Sequence, residues 1–297
     1  MAAQDLPIVG DSFALGYRFQ RHWDTSMANA FFFGELGAAV FLVSMLCGFV
    51  PGMLGGLVIT GTLKTFFHIT HMGVPGKSWR AIVRPDRSWV SRGLLGIVCL
   101  MGFGGLSTLV AWTGALAPDS PLTMLLKLAA GAAALVVMTY QGLAMSHSTA
   151  ISLWNTGLMP VASLVYSATG GTLLTLLGGW STFAAAENGE RPMLANVALL
   201  LVVVIAVVVA SLLHGAHHGS PGGRKSVEVL TRTYYAKWFW GCICVLGIVL
   251  PAVLLSVAGG NCGAVVVATA GVLIGHYAFR VLMFKAGVYE PIMNFRF

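Results

Sequence analysis

Ionisable residues are scarce in this chain, so the few that lie within its apolar segments are candidates for chemistry. Asp, Glu, Lys and Arg make up only 9% of the 297 residues, against about a quarter in soluble domains. Lys64, His68 and His71 follow the i, i+4, i+7 spacing that places side chains on one stripe of a helix. Histidine exchanges a proton near neutral pH, and an ionisable group inside a membrane is costly enough to indicate function.

Glu35 and Lys64 have nearly the same predicted depth, and we expect them to form an ion pair. Such a pair is either structural or a means of carrying protons on Glu35, and the sequence leaves both open. Other polar groups in or beside the apolar segments lie in the same half of the membrane: Asp24, Asn29, Tyr140, His147, His214, His276 and Arg280. The opposite half has little except Lys127. This one-sided arrangement suits a site for a lipid-soluble headgroup near a docked protein. A channel would need polar groups through the full depth.

The elements that position these residues are predicted to be membrane-spanning helices. Hydrophobic residues make up 57% of the chain, and apolar runs of about 20 residues, enough to cross a bilayer core, recur along it. These runs lack the alternation of apolar and polar residues that is typical of the strands of a transmembrane β-barrel. The sequence therefore predicts an all-α membrane protein, one domain over 1–297, with eight transmembrane helices near 27–49, 52–72, 93–114, 122–145, 158–179, 194–214, 237–258 and 263–285.

The basic residues predict an orientation. Eight spans put both termini on one face, and of the 17 Lys and Arg residues all but Lys64, Lys127 and Arg191 belong to that face. By the positive-inside rule this face, which includes Arg296, is cytoplasmic. A basic face also suits docking of an acidic partner. The net charge of +7 sits at membrane ends and does not indicate nucleic acid.

The five cysteines do not predict a metal site. All lie in or beside the spans, and Cys242-x-Cys244 lacks the partners and spacing of a zinc or iron–sulfur site. We interpret them as small apolar residues of the core.

Several motifs together carry a family resemblance. His71-Met72-Gly73-Val74-Pro75, followed by Arg80 and then Arg87-Ser88-Trp89-Val90-Ser91-Arg92, resembles the second loop of the DmsC/NrfD/PsrC membrane anchors of molybdopterin oxidoreductases. Four further stretches match the same group in the same order: 32–39, 140–142, 154–160 and 276–287.

The resemblance implies a fold, partners and a ligand. The fold would be eight helices in two four-helix bundles. The partners would be a ferredoxin-like subunit with 4Fe–4S clusters and a catalytic subunit with a molybdenum or tungsten pterin cofactor. The chain itself would perform no substrate chemistry. It would sit in a bacterial or archaeal cytoplasmic membrane and pass electrons between the iron–sulfur subunit and menaquinone or ubiquinone.

Site residues follow from the resemblance and from the polar pattern. His71 and Tyr140 match the family's quinone-site positions, and we expect the site between helices 1, 2 and 4, with His68, Asn29 and Asp24 completing it. Glu35, Lys64, His276 and Arg280 are expected to form ion pairs or carry protons. The expected docking residues are Arg80, Arg84, Arg87, Trp89 and Arg92.

The chain departs from the family pattern at two places. It has Ser91-Arg92-Gly93 where DmsC-like members have an acidic residue after Ser-Arg. Conversely, Glu35 stands where the family usually has glycine, so we expect it to substitute for the missing acid.

Two other functions remain open from the residues. Eight histidines would allow a di-haem cytochrome b-type anchor of a formate dehydrogenase or hydrogenase, although the intramembrane histidines crowd one side. A secondary transporter is the other alternative, but the inverted repeat common in that class is not evident.

Overall fold

The described part of the chain contains eight helices long and apolar enough to span a membrane. The structure, a computed structural model, describes residues 17–185 and 189–290, and Arg296 lies outside them. The prediction of an all-α protein with eight spanning helices is confirmed. We label these helices α1 Thr25–Leu46, α2 Val50–His71, α3 Trp89–Thr113, α4 Pro121–Ser146, α5 Leu158–Gly178, α6 Glu190–Gly219, α7 Ala236–Ala258 and α8 Cys262–Lys285.

Local signals define the ends of the helices near the site. Asp24 caps α1 by accepting a hydrogen bond from the Met27 amide at 3.1 Å. The turn between α1 and α2 contains Gly48 at a φ of +64°, a conformation that glycine adopts without steric cost. Ser88 caps α3 through the Ser91 amide. These caps and this turn fix where α1, α2 and α3 enter the membrane.

The centre of the fold is formed by α1 and α5. Within their most apolar windows, 72% and 67% of the residues are buried, more than in any other spanning helix of the described chain. Helix α1 contacts α2, α4, α5 and α8. Small residues permit this crowding, since a Cβ on Gly171 of α5 would lie 2.7 Å from the Ala39 carbonyl carbon. The grouping into two four-helix bundles stays a prediction.

Three of the spanning helices contain π-helical turns, at Thr60–Lys64, Leu100–Gly104 and Phe239–Val249. Such turns are uncommon and often occur at functional sites. The first of them ends at Lys64, and the one in α3 begins shortly after Ile97, which lines the same cavity as Lys64.

The two ends of the described chain meet on one face. Phe19 and Val288 form an antiparallel bridge. The Glu290 carboxylate accepts hydrogen bonds from Ser152 Oγ at 2.5 Å, from the Gly222 amide at 3.1 Å and from Ser220 Oγ. Burial raises the pKa of Glu290, but these hydrogen bonds outweigh it and hold the pKa below its usual value. Glu290 thereby joins the C-terminal segment to helix Pro221–Arg232.

Candidate functional site

A cavity of about 330 Å³ lies between α2, α3 and the short 3₁₀ helix Pro75–Ile82. Its walls are mainly apolar, and the polar side chains among them are Lys64, Thr65, His68 and Ser78. The remaining lining residues are Ile69, Met72, Trp79, Ala81, Ile82, Leu94 and Ile97. Ser91 Oγ donates to the Ala81 carbonyl and so ties the short helix to α3. The cavity has the size and apolar character of a small-molecule site.

Lys64 is the charged residue of this cavity. Its side chain is buried, with 2% of its surface exposed. In the described part of the chain, no carboxylate oxygen lies within 4 Å of its ammonium group. The Lys64 Nζ atom is 5.9 Å from the centre of the Tyr140 ring, a distance at which the ring attracts the cation. Lys64 is therefore a buried lysine without a counter-charge within 4 Å among the described residues.

His68 brings an unsatisfied polar atom to the same cavity. Its Nδ1 atom is buried, and no hydrogen-bond partner for it occurs among the described residues. Buried polar groups in folded proteins are nearly always hydrogen-bonded. Lys64 and His68 are one helical turn apart on α2 and both line the cavity, so the two side chains can serve one ligand.

The expected ion pair between Glu35 and Lys64 is not formed, and the partner of Glu35 is Arg280. Glu35 Oε2 accepts hydrogen bonds from Arg280 Nη2 at 2.6 Å and Nε at 3.0 Å. It also lies 3.1 Å from His276 Nε2. All three side chains are fully buried. Arg280 Nη2 also donates to Ser163 Oγ at 2.6 Å, so this cluster joins α1, α5 and α8.

Glu35 pairs with Arg280 because of the direction in which its side chain leaves the axis of α1, and not because of its depth in the membrane. The residue of α1 that faces Lys64 is Gly34, where an added Cβ would lie 2.9 Å from Lys64 Cγ. Consecutive residues of an α-helix differ in direction by about 100°. Glu35 therefore faces α5 and α8 while its neighbour Gly34 faces α2.

Tyr140 and Gln141 connect the cavity side of α1 to this cluster. With its amide nitrogen toward Glu35, Gln141 donates to Glu35 Oε1 at 3.0 Å and to the Phe31 carbonyl at 2.9 Å. In that orientation its oxygen accepts from Tyr140 Oη at 3.2 Å. We assign this orientation because it satisfies both ends of the amide. Gln141 was not predicted as a site residue, although the rule used for other polar residues within the spans would have selected it.

Asp24 and His71 form a pair where α1 begins and α2 ends. The Asp24 Oδ1 and His71 Nδ1 atoms are 3.1 Å apart. Burial raises the pKa of Asp24, but the hydrogen bond from the Met27 amide and the adjacent His71 outweigh it and lower the pKa below its usual value.

Of the five residues predicted for a quinone site, only His68 lines the cavity. Asp24, Asn29, His71 and Tyr140 lie outside its lining.

The predicted docking residues divide into two groups. Arg80, Arg84 and Arg87 are exposed on the loop between α2 and α3. In contrast, Arg92 donates to the Pro85 and Asp86 carbonyls at 2.7 and 3.0 Å, and its guanidinium group lies 4.3 Å from the Trp89 ring. Trp89 donates to His147 Nε2 at 3.2 Å. Arg92 and Trp89 thus hold the loop in place.

Comparison with known protein families gives a match over nearly the whole described chain. The family described as polysulphide reductase, NrfD, matches residues 16–290. The chain belongs to the NrfD family. No curated protein matches the chain. NrfD membership makes it a multi-pass membrane subunit of a molybdoenzyme-associated complex. The resemblance stated from the motifs is confirmed.

Proposed function

We propose that this NrfD protein exchanges electrons between quinone in the membrane and an iron–sulfur subunit docked on its basic loop. The observation that carries the proposal is the double role of helix Pro75–Ile82. Ser78, Trp79, Ala81 and Ile82 line the cavity, while Lys77 and Arg80 on the same short helix are exposed. A ligand in the cavity and a protein docked on the loop would be separated by little more than this helix.

The cavity suits the headgroup of a quinone. Apolar side chains line most of it and suit a ring, and Lys64 and His68 supply polar atoms for a carbonyl or hydroxyl oxygen. Tyr140 lies next to Lys64 but outside the cavity lining, and we propose that it positions Lys64. Quinone supplies the redox chemistry when bound. The residues of this chain bind and orient it and exchange its protons.

The exposed arginines of the loop suit an acidic partner surface. Opposite charges on two proteins speed their encounter and set their orientation. The partners proposed from the family are an iron–sulfur subunit and a molybdopterin catalytic subunit.

The Glu35–Arg280 cluster lies away from the cavity lining, and we assign it a structural role, with Gln141 and Tyr140 as its connection to the site.

Filling the cavity tests the quinone assignment. Ile97 lines the cavity and is nearly buried, at 8% exposure, whereas Ile274 of α8 is 45% exposed on the outer surface. Ile97→Trp in the assembled complex should lower quinone-coupled turnover about tenfold or more and spare turnover with a soluble dye. Ile274→Trp should spare both. Equal loss of both activities in Ile97→Trp would indicate a folding or assembly defect, and undiminished quinone turnover would contradict the assignment.

Charge reversal tests the docking assignment. Arg80→Glu with Arg84→Glu should release the iron–sulfur subunit during purification. Reversal of Arg18 and Arg21, which are exposed on the same face, is the matched control and should leave the complex intact. Retention of the subunit after reversal of Arg80 and Arg84 would contradict docking on this loop.

A further inference from the structure

Lys64 leaves a charge that the described protein does not neutralise. The Glu35 carboxylate and the Arg280 guanidinium compensate each other at 2.6 Å. Lys64 is nearly as buried as that pair, at 2% exposure, yet in the described part of the chain it has no carboxylate within 4 Å. A buried charge without a partner is energetically unfavourable. A ligand that brought a negative charge to the cavity would remove this cost.

We propose that the cavity selects the ionised form of a reduced quinone, with the anionic oxygen of the ring bound to the Lys64 ammonium group. This inference rests on the proposed function and specifies the charge state of its ligand. The apolar side chains of Trp79, Ile82, Leu94 and Ile97 provide the walls for a flat ring. These four side chains carry no charge, so Lys64 is the group of the cavity lining that would bind an anionic oxygen.

His68 provides an acceptor for the remaining hydroxyl of the ligand. A hydroquinone monoanion forms when one O–H bond breaks, and the released proton goes to water before the anion enters the cavity. The His68 Nδ1 atom is buried without a partner among the described residues, and His68 lines the same cavity. In the tautomer with the hydrogen on Nε2, Nδ1 accepts a hydrogen bond from the remaining hydroxyl. Lys64 then binds the anionic oxygen, and His68 binds the hydroxyl.

The test compares an anionic with a neutral ligand of the same shape. The anionic probe is 2-heptyl-4-hydroxyquinoline N-oxide, a quinone analogue with an ionisable hydroxyl, and the neutral probe is its O-methyl ether. Binding to the assembled complex in lipid nanodiscs is followed by the quenching of probe fluorescence. Wild-type protein is compared with Lys64→Met, with Lys64→Arg and with Lys127→Met, which removes a lysine of spanning helix α4 outside the cavity lining.

We expect Lys64→Met to weaken binding of the anionic probe about tenfold or more, the scale of one charge-assisted hydrogen bond, and to leave binding of the neutral ether within about threefold. Lys64→Arg should restore most of the preference, and Lys127→Met should match wild type. Equal weakening of both probes in Lys64→Met, or no weakening of either, would overturn the inference.

Failure of the proposed function would look different. If added quinol displaced neither probe from the wild-type complex, the cavity would not be a quinone site, and both proposals would fall. If quinol displaced both probes but the wild type bound them with equal affinity, only the inference about Lys64 would be overturned. If oleate displaced the anionic probe from wild type and quinol did not, the site would belong to a fatty-acid anion, and the inference would be wrong.

Discussion

The buried pair between Glu35 and Arg280 can be distinguished from a Glu35–Lys64 pair by a double-mutant cycle. Arg280→Met removes two of the hydrogen bonds to Glu35 Oε2 and leaves a carboxylate in a fully buried position. Breaking a buried pair on one side costs about 3–5 kcal/mol. This is a large share of the roughly 5–15 kcal/mol that stabilises a typical domain.

Removing both charges should restore much of that loss. Since a buried pair contributes little net stability against apolar side chains of similar volume, the double variant Glu35→Leu/Arg280→Met should be more stable than the sum of the single losses predicts. We expect a coupling of about 2–3 kcal/mol, near the upper end for contacting residues. The matched cycle of Glu35→Leu with Lys64→Met should give a smaller coupling, because Lys64 reaches Glu35 only through Tyr140 and Gln141.

The assay is unfolding of the purified protein in mixed micelles with an increasing fraction of a denaturing detergent, followed by helical circular dichroism. A larger coupling for Lys64 than for Arg280 would refute the reasoning. So would a cost for Arg280→Met below about 1 kcal/mol, because a buried carboxylate cannot lose its main donors at so small a cost.

Three further predictions concern stability in the same assay. Because the pKa of Glu290 is lowered, its carboxylate stabilises the fold fully above its usual value of 4.5 and loses this effect as the pH falls below it. Glu290→Gln should therefore be less stable than wild type at neutral pH, with a smaller difference in acid, and a constant difference would contradict the assignment. Gly142→Ala should cost about 1–3 kcal/mol, since an added Cβ would lie 2.5 Å from Pro160 N, whereas Gly102→Ala has open space and should cost nothing measurable. Trp154→Phe should cost about 1–3 kcal/mol, because it leaves the buried Met283 carbonyl without its donor at 2.8 Å; an unchanged midpoint would argue against this bond.

The sequence pattern was sufficient to predict the spanning helices and to select the unusual charged residues within them. Long apolar runs predict spanning helices because every backbone polar group must be paired inside the bilayer. The same scarcity of charge made Glu35, Lys64 and Arg280 conspicuous, and the structure buries all three. The family, too, could be identified from motifs in order, and the match over residues 16–290 confirms it.

Which of these residues meet was decided by packing between helices distant in the chain. Depth placed Glu35 level with Lys64, but the rotation of α1 turns Glu35 toward Arg280 of α8 and puts Gly34 against Lys64. A one-residue difference along a helix changes direction by about 100°, and nothing in a uniformly apolar helix indicates which side faces which neighbour. The cavity depends likewise on how helix Pro75–Ile82 folds back over α2 and α3. The distance between two residues on different helices is set by the packing of those helices, which a linear pattern does not record.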